Sequence, residues 1–339
     1  MIPIVMAGGF GTRIRPLSAN RPKPMLEVVN RPILERVLLH LTSHGLDEAV
    51  LLTYYDPEKI RAAFGDGSRL GMKLHYYTAD QDYGTAGAVA HGAELAPADE
   101  YLVLSGDVLC DFDLGAIMDF HHERKAAVTI ALTHVPNPLQ FGIVIVDADG
   151  RVRRFLEKPT WGEVFSDTVN TGLYVLSATA LAEVPRHESC DFSRELFPKL
   201  LAAGAEMYGY IARGYWRDIG DPESYLAAHR DYFEGTLHII PAGELSQVGG
   251  KPIWIEGSAE VDPGVEVRGT VVLADGCRIG PGVRLEDVVL GAGTVIEGRS
   301  ELRRVVIWDH AVIGAGARIE DSVLGAHVQV GADSVIEAG

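Results

Sequence analysis

Between Met6 and Val28 the chain reads "MAGGFGTRIRPLSANRPKPMLEV". Glycines follow directly on an apolar run, and Arg13, Arg15, Arg21 and Lys23 follow within a few positions. Glycine lets backbone N–H groups approach a ligand closely, and a concave row of such groups binds anions. Cations just beyond would balance the charge of a phosphate chain. Lys23 stands between Pro22 and Pro24, whose rings stiffen the backbone that aims it. Two familiar phosphate loops are excluded. A G-x-G-x-x-G fingerprint counted from Gly9 and Gly11 needs a third glycine where Ile14 stands, and Thr12 and Arg13 after Gly11 break a Gly-Lys-Ser/Thr loop. Arg15 and Arg21 stay open between phosphate contacts and solvated surface cations.

The elements that must position this loop alternate in type. "IPIVM" (Ile2–Met6) is a short buried-strand run. "PILERVLLHLTSHG" opens on proline, repeats apolar residues at helical spacing and stops at glycine. "AVLLTYY" reads as a strand, as does "EYLVLSGDVL", which carries Gly106 and Asp107 near its end. A helix over "DLGAIMDFHHERKA", with His121 and His122 on a solvated face, and a strand over "AVTIALTHV" follow. Strands alternating with helices predict parallel βαβ units in a three-layer α/β sheet. Ligands of such sheets sit beyond the carboxyl ends of the strands, where the glycine loop and Asp107 fall. A last helix is expected over "DPESYLAAHRDYFEG", then a connector over 236–252.

From Ile255 the rhythm changes. Aliphatic residues recur at five- or six-residue spacing through Val261, Val267, Leu273, Ile279, Leu285, Leu290, Ile296 and Leu302, and on to Ile336. Leu285, Leu302, Ile319 and Ile336 are each 17 residues apart. No α-helix has this period, and a β-sandwich would show period two. The pattern predicts a hexapeptide-repeat parallel β-helix with three short strands per coil and the aliphatics stacked inside.

The whole chain has 339 residues and a net charge of −17. That balance argues against nucleic acid, whose binding needs a basic face, and against an anionic membrane surface. Cys110, Cys190 and Cys277 are far apart and lack metal-ligand spacing, so they read as reduced thiols of a cytoplasmic protein. The opening "MIPIVMAGG" has no basic segment and too short an apolar run for a secretion signal. No apolar stretch approaches the ~18 residues that span a bilayer.

"GGFGTRIRPLSANRPKPM" resembles the signature of the sugar-1-phosphate nucleotidyltransferases, with Ile14 and Ser18 as mild departures. The resemblance continues in order through "GTAGAV", "SGDVL", "FLEKP", "NTGLYVL" and "YWRDIGDPESYL". It implies an α/β, three-layer Rossmann-like nucleotidyltransferase domain over 1–235, a linker over 236–252, and a left-handed parallel β-helix over 253–339. It implies the reaction of an NTP with a sugar 1-phosphate to give an NDP-sugar and pyrophosphate. Arg13 and Lys23 would act in catalysis. Ala7, Gly8, Gly9, Gly11, Thr12, Gln81, Gly84 and Thr85 would bind nucleotide. Gly142, Glu157, Lys158 and Asn170 would bind the sugar phosphate, and Asp107 and Asp218 would hold Mg²⁺. "GTAG" is closest to the mannose-1-phosphate guanylyltransferases, although Asp82 and Tyr83 precede it here. GTP with mannose 1-phosphate is therefore the expected pair, with thymidylyl or uridylyl transfer to glucose 1-phosphate, or guanylyl transfer to another sugar 1-phosphate, as the alternatives. A catalytically silent, nucleotide-sugar-binding subunit is the competing class. Arg13, Lys23, Asp107 and Asp218 are all present, which speaks against it. His310 and His327 lie one coil apart, but no acceptor motif accompanies them for acyl transfer. The coil end near Ile336 would leave strand edges open, which predicts a homo-oligomer.

Overall fold

The computed structural model describes residues 1–157, 167–185 and 188–337, with backbone alone for residues 156 and 157. The chain divides into two compact units. The first comprises Met1–Thr12, Asn20–Met25 and Ile33–Asp218, and the second comprises Arg13–Ala19, Leu26–Pro32 and Ile219–Gly339.

The first unit is built on a nine-stranded sheet. Ile2–Met6 lies parallel between Glu48–Thr53 and Glu100–Ser105, and Lys73–Thr78 extends the parallel part. Alternate residues of these strands point to opposite faces. Ile4, Val50, Leu52 and Val103 join one core with the helix Gly84–Ala93. Val5, Ala49, Leu51, Leu102 and Leu104 join a second core with the helices Ile33–Ser43 and Leu114–Arg124. Two cores on one sheet make the three layers that the βαβ rhythm predicts. The sheet is not parallel throughout. Thr168–Ser177 runs antiparallel to Glu100–Ser105, and Gly142–Val146 and Val152–Glu157 form an antiparallel pair at one edge. Only residues 147–151 join Gly142–Val146 to Val152–Glu157, a link that permits antiparallel pairing and is too short for a parallel crossover.

Two local expectations change. The run over "EYLVLSGDVL" breaks into Glu100–Ser105 and Val108–Cys110. A side chain at Gly106 would press on the Met6 carbonyl, and Gly106 N–H donates to that oxygen at 2.9 Å. His121 does not lie on a solvated face. It is buried, with Nδ1 at 2.9 Å from Thr129 Oγ1, while His122 is exposed.

In the second unit the aliphatic ladder forms the predicted coils. Leu285 pairs with Leu302 and Leu302 with Ile319, in register, on successive parallel strands. Positive φ angles mark the corners. Gly276, Gly293, His310 and His327 form one column, Gly282, Arg299, Gly316 and Asp333 a second, and Gly269, Asp287, Arg304 and Asp321 a third. Three left-handed corners per coil bend the chain around an aliphatic core that includes Val271, Val288 and Val305. Left-handed backbone disfavours most L-residues. Carboxylates bonded across coils help hold the corners: Asp287 accepts from Thr270 N–H, and Asp309 from Ala292 N–H, each at 2.8 Å. Within the expected 236–252 connector, Glu244–Val248 is a strand paired antiparallel with Lys251–Ile255, which begins the ladder.

Leu302→Ala should lower unfolding stability by about 2–5 kcal/mol, because a stacked interior leaves the lost volume as a cavity. Urea unfolding followed by circular dichroism measures this, and a change near zero would mean that the coils do not carry load through the aliphatic stack.

Candidate active site

The carboxyl end of the parallel strands gathers the predicted chemistry. Met6 pairs with Ser105, so the glycine loop and Asp107 leave the sheet side by side. Ala7 is buried and its N–H donates to the Leu52 carbonyl at 2.8 Å. A Cβ on Gly8 would stand 3.0 Å from Tyr54 Cβ, whereas Gly9 faces open space. Gly8, Gly9, Gln81, Gly84 and Thr85 line one cavity of about 480 Å³, together with Phe10, Tyr54, Tyr83, Asp191 and Arg194. Ala7, Gly11 and Thr12 lie outside that lining. Arg13 is exposed on the short turn Thr12–Ile14 and belongs to the second unit.

The far wall of the cavity depends on Gly84 and Thr85. Gly84 has φ +68°, and a side chain there would collide with the backbone of Cys190. Asp82 accepts from Gly84 N–H at 2.9 Å. Thr85 Oγ1 donates to Asp191 Oδ2 at 2.9 Å and accepts from Phe192 N–H at 3.0 Å. The start of the Gly84–Ala93 helix is thereby tied to the segment that carries Asp191 and Arg194. Sequence reading missed Tyr54, Asp191 and Arg194, because no local motif marks them and only the fold brings them to the loop.

Lys23 lies on the turn Lys23–Met25 and is 6% exposed. Its Nζ stands 2.6 Å from Asp107 Oδ2 and 3.1 Å from Asp218 Oδ1. Asp218 reaches this point through a two-stranded ladder in which Trp216–Asp218 runs antiparallel to Val108–Cys110 and Asp218 pairs with Val108, next to Asp107. Trp216 fixes that strand: its indole N–H donates to the Thr171 carbonyl at 3.0 Å, and its ring meets Phe141 edge-on. Ser105 Oγ donates to Asp107 Oδ1 at 2.5 Å and sets the rotation of the carboxylate. Burial alone would lower the Lys23 pKa, but Asp107 and Asp218 outweigh it and the net shift is upward. Burial likewise pushes Asp107 up, and the Lys23 charge with the Ser105 bond turns the net shift downward.

The residues expected to bind the sugar phosphate, as far as they are described, share one end of three adjacent strands. Gly142 pairs with Glu157, and Val169, next to Asn170, pairs with Ile143. Asn170 Nδ2 donates to Tyr174 OH at 2.9 Å and Ser193 Oγ at 3.3 Å, while its Oδ1 accepts from Gly172 N–H. The Glu157 side chain and the whole of Lys158 lie outside the described residues. No group of three or more metal-ligating side chains occurs among the described residues, so a metal here would rest on two carboxylates and its substrate. Asp107 and Asp218 suit that role: both are partly accessible, converge on one cation and offer hard oxygens.

The ion cluster makes a pH-dependent prediction. A depressed Asp107 pKa stabilises the fold above the unfolded value near ~3.9, and that contribution is lost as pH falls through the folded value. A raised Lys23 pKa stabilises below ~10.4 and is lost as pH rises through the folded value. In Lys23→Met the carboxylates face each other without a cation. Their repulsion should raise a folded pKa above ~3.9, so stability should fall as pH rises from about 4 to 7, by about 3–5 kcal/mol relative to wild type at neutral pH. Urea midpoints across that range measure it; parallel curves for the two proteins would remove the cluster as a source of stability.

Residues 2–235 match the family described as Nucleotidyl transferase, and residues 250–339 match the GMPPB C-terminal domain. A mannose-1-phosphate guanylyltransferase of Mycobacterium tuberculosis is 37% identical over 302 residues, covering 89% of this chain and 82% of that protein. A UTP–glucose-1-phosphate uridylyltransferase of Synechocystis is 30% identical over 335 residues, covering 85% and 86% respectively. Among solved structures, HddC from Yersinia pseudotuberculosis complexed with GMP-PN superposes with a TM-score of 0.60 at 25% identity, covering 68% of this chain and all of that one. Motif series, mixed sheet and family match agree, and the chain belongs to the nucleotidyl transferase family.

Proposed function

We propose that the protein transfers a guanylyl group from GTP to mannose 1-phosphate, giving GDP-mannose and pyrophosphate. The cluster of Lys23, Asp107 and Asp218 carries the reading, because it stands at the same strand ends as the glycine-lined cavity. The relative of 37% identity and the GMP-PN complex support guanine over other bases.

A sugar-phosphate oxygen attacks the α-phosphorus in line. The new P–O bond forms as the bond to the β-phosphate breaks, and the electron pair leaves on pyrophosphate. The nucleophile is anionic at pH 7, so no general base is required. Positioning and charge stabilisation do the work. Ala7, Gly8, Gly9, Gly11 and Thr12 would cradle the triphosphate, with Gln81, Gly84 and Thr85 beneath base and ribose. Arg13 and Lys23 would neutralise phosphate oxygens. Gly142, Glu157, Lys158 and Asn170 would hold the sugar phosphate. Asp107 and Asp218 would hold Mg²⁺, which supplies charge neutralisation at the phosphates. Two carboxylates and one ammonium leave the cluster net negative, a poor neighbour for a triphosphate. A divalent cation would reverse that sign.

The same reading divides the chain into a transferase domain over 1–235, a joining segment over 236–252 and the β-helix over 253–339. We expect a cytoplasmic homo-oligomer: all three cysteines are unpaired, no helix among the described residues is long and apolar enough to cross a membrane, and Val335 on the last described strand is exposed. The Synechocystis relative supports a second pair, UTP with glucose 1-phosphate.

Pyrophosphate release with Mg²⁺ across the NTPs and several sugar 1-phosphates should be fastest for GTP with mannose 1-phosphate. A clear preference for UTP with glucose 1-phosphate would replace the pair, and no release with any would favour a silent binding subunit. Lys23→Ala should lower kcat roughly 10²–10³-fold, as for other lost charge stabilisers. Asp107→Asn and Asp218→Asn should each abolish Mg²⁺-dependent turnover, with little further loss in the double variant. Multiplying losses would argue against one shared ion.

A further inference from the structure

Lys23, Asp107 and Asp218 all belong to the first unit. Both oxygens of Asp107 are engaged: Oδ1 accepts from Ser105 Oγ at 2.5 Å, and Oδ2 holds Lys23 Nζ at 2.6 Å. Asp218 brings Oδ1 to 3.1 Å from the same nitrogen. One ammonium therefore sits on the very oxygens proposed for Mg²⁺. The carboxylates are fixed by backbone. Asp218 pairs with Val108, the residue after Asp107, in the ladder of Trp216–Asp218 with Val108–Cys110. Asp111 closes the far end of that ladder: it accepts from Tyr215 N–H at 2.5 Å and donates its own N–H to the Tyr215 carbonyl at 3.2 Å. Lys23 is the member that can move, because its charge rides on a flexible four-carbon stem. The cluster is largely shut off from water, with side-chain exposures of 8% for Lys23, 22% for Asp107 and 27% for Asp218. Like charges set close together in such a place are screened poorly and repel.

We propose that Lys23 is a resident counter-ion of the metal site: its ammonium and a divalent cation exclude one another from Asp107 and Asp218, and the carboxylates pass to the metal only as Lys23 moves to the triphosphate. The inference rests on the proposed metal role of the two carboxylates. Metal arriving alone meets oxygens already neutralised in part by Lys23. Metal arriving with nucleotide does not, because the phosphate oxygens offer the ammonium another anionic partner. Lys23 thus couples the two binding events, and the coupling is reciprocal: nucleotide favours metal as much as metal favours nucleotide. The same side chain keeps the buried carboxylates compensated before substrate binds and stands beside the phosphates afterwards.

The test is metal binding by the nucleotide-free full chain, read from the electron paramagnetic resonance of unbound Mn²⁺, which suits the same oxygen ligands. Lys23→Met and Lys23→Gln should each bind Mn²⁺ about tenfold more tightly than the wild type, within the roughly 5–150-fold usual for coupled binding events. Lys23→Arg keeps the positive charge and should show no such gain. Asp107→Asn in the Lys23→Gln background should remove the gain, which separates the site from weak binding elsewhere on a chain of net charge −17. Melting curves add a readout that needs no variant. Without nucleotide, Mg²⁺ should leave the wild-type melting temperature unchanged, and with GTP it should raise it. In Lys23→Met, Mg²⁺ alone should raise it, because the metal replaces the lost cation. Wild-type protein stabilised by Mg²⁺ alone, or folded Lys23→Met and Lys23→Gln with no gain in Mn²⁺ affinity, would overturn the exclusion while leaving the metal site standing. Mn²⁺ binding indifferent to Asp107→Asn in every background would overturn the metal reading itself, and the exclusion with it.

Discussion

A buried ammonium between two carboxylates is the constraint on which the transferase half of this molecule turns. Each of the three groups would be costly to bury alone, and together they are tolerable. Their meeting requires three separate chain segments to arrive at one point: the proline-flanked turn of Lys23, the break after Ser105 that frees Asp107, and the short strand that ends in Asp218. Much of the surrounding architecture serves that convergence. Gly106 allows the Glu100–Ser105 strand to stop hard against Met6, and Trp216 holds the Asp218 strand to Thr171 and Phe141.

The adjoining cavity obeys a different constraint, close approach of backbone. Gly8 has to pass Tyr54, and Gly84 has to pass Cys190, at distances that leave no room for a side chain without rearrangement. The polar groups exposed by this closeness are then organised by Asp82, Thr85 and Asp191. Rigid walls of this kind suit a reaction that needs alignment of phosphates more than proton transfer.

The β-helix solves its own problem by repetition. Every coil meets the same neighbours, so one aliphatic ladder and three left-handed corners suffice along its length. On one face the charges alternate between coils: Arg284 reaches Glu301 at 2.7 Å, and Arg303 reaches Glu286 and Glu320 at 3.2 Å. Exposed pairs of this sort add little stability singly, but they favour one register over a slipped one. The hairpin of Glu27–Val28 and Arg31–Pro32 departs from the repetition: Asn30 donates to the Leu290 carbonyl, and Trp308 donates to Tyr225 OH, which in turn donates to the Glu27 carbonyl.

What the amino-acid sequence determined by itself is whatever repeats or acts locally. The 17-residue period specified the coils because each aliphatic residue sits in the same environment as the one below it. The glycine loop with its cations, and the proline-flanked Lys23, are legible because their chemistry lies within a few bonds. The strand and helix alternation marked three layers through the two hydrophobic faces of each strand. Tertiary structure alone decided what depends on pairing between distant segments. Asp107 and Asp218 meet through a register of strands that no local pattern encodes; before the fold, only family resemblance joined them. The antiparallel half of the sheet, the burial of His121 against Thr129 and the Thr85–Asp191 tie belong to the same class. Val29 is the clearest case. Its local preference opposes the backbone it adopts, and His229, two hundred residues away, is part of what holds it there.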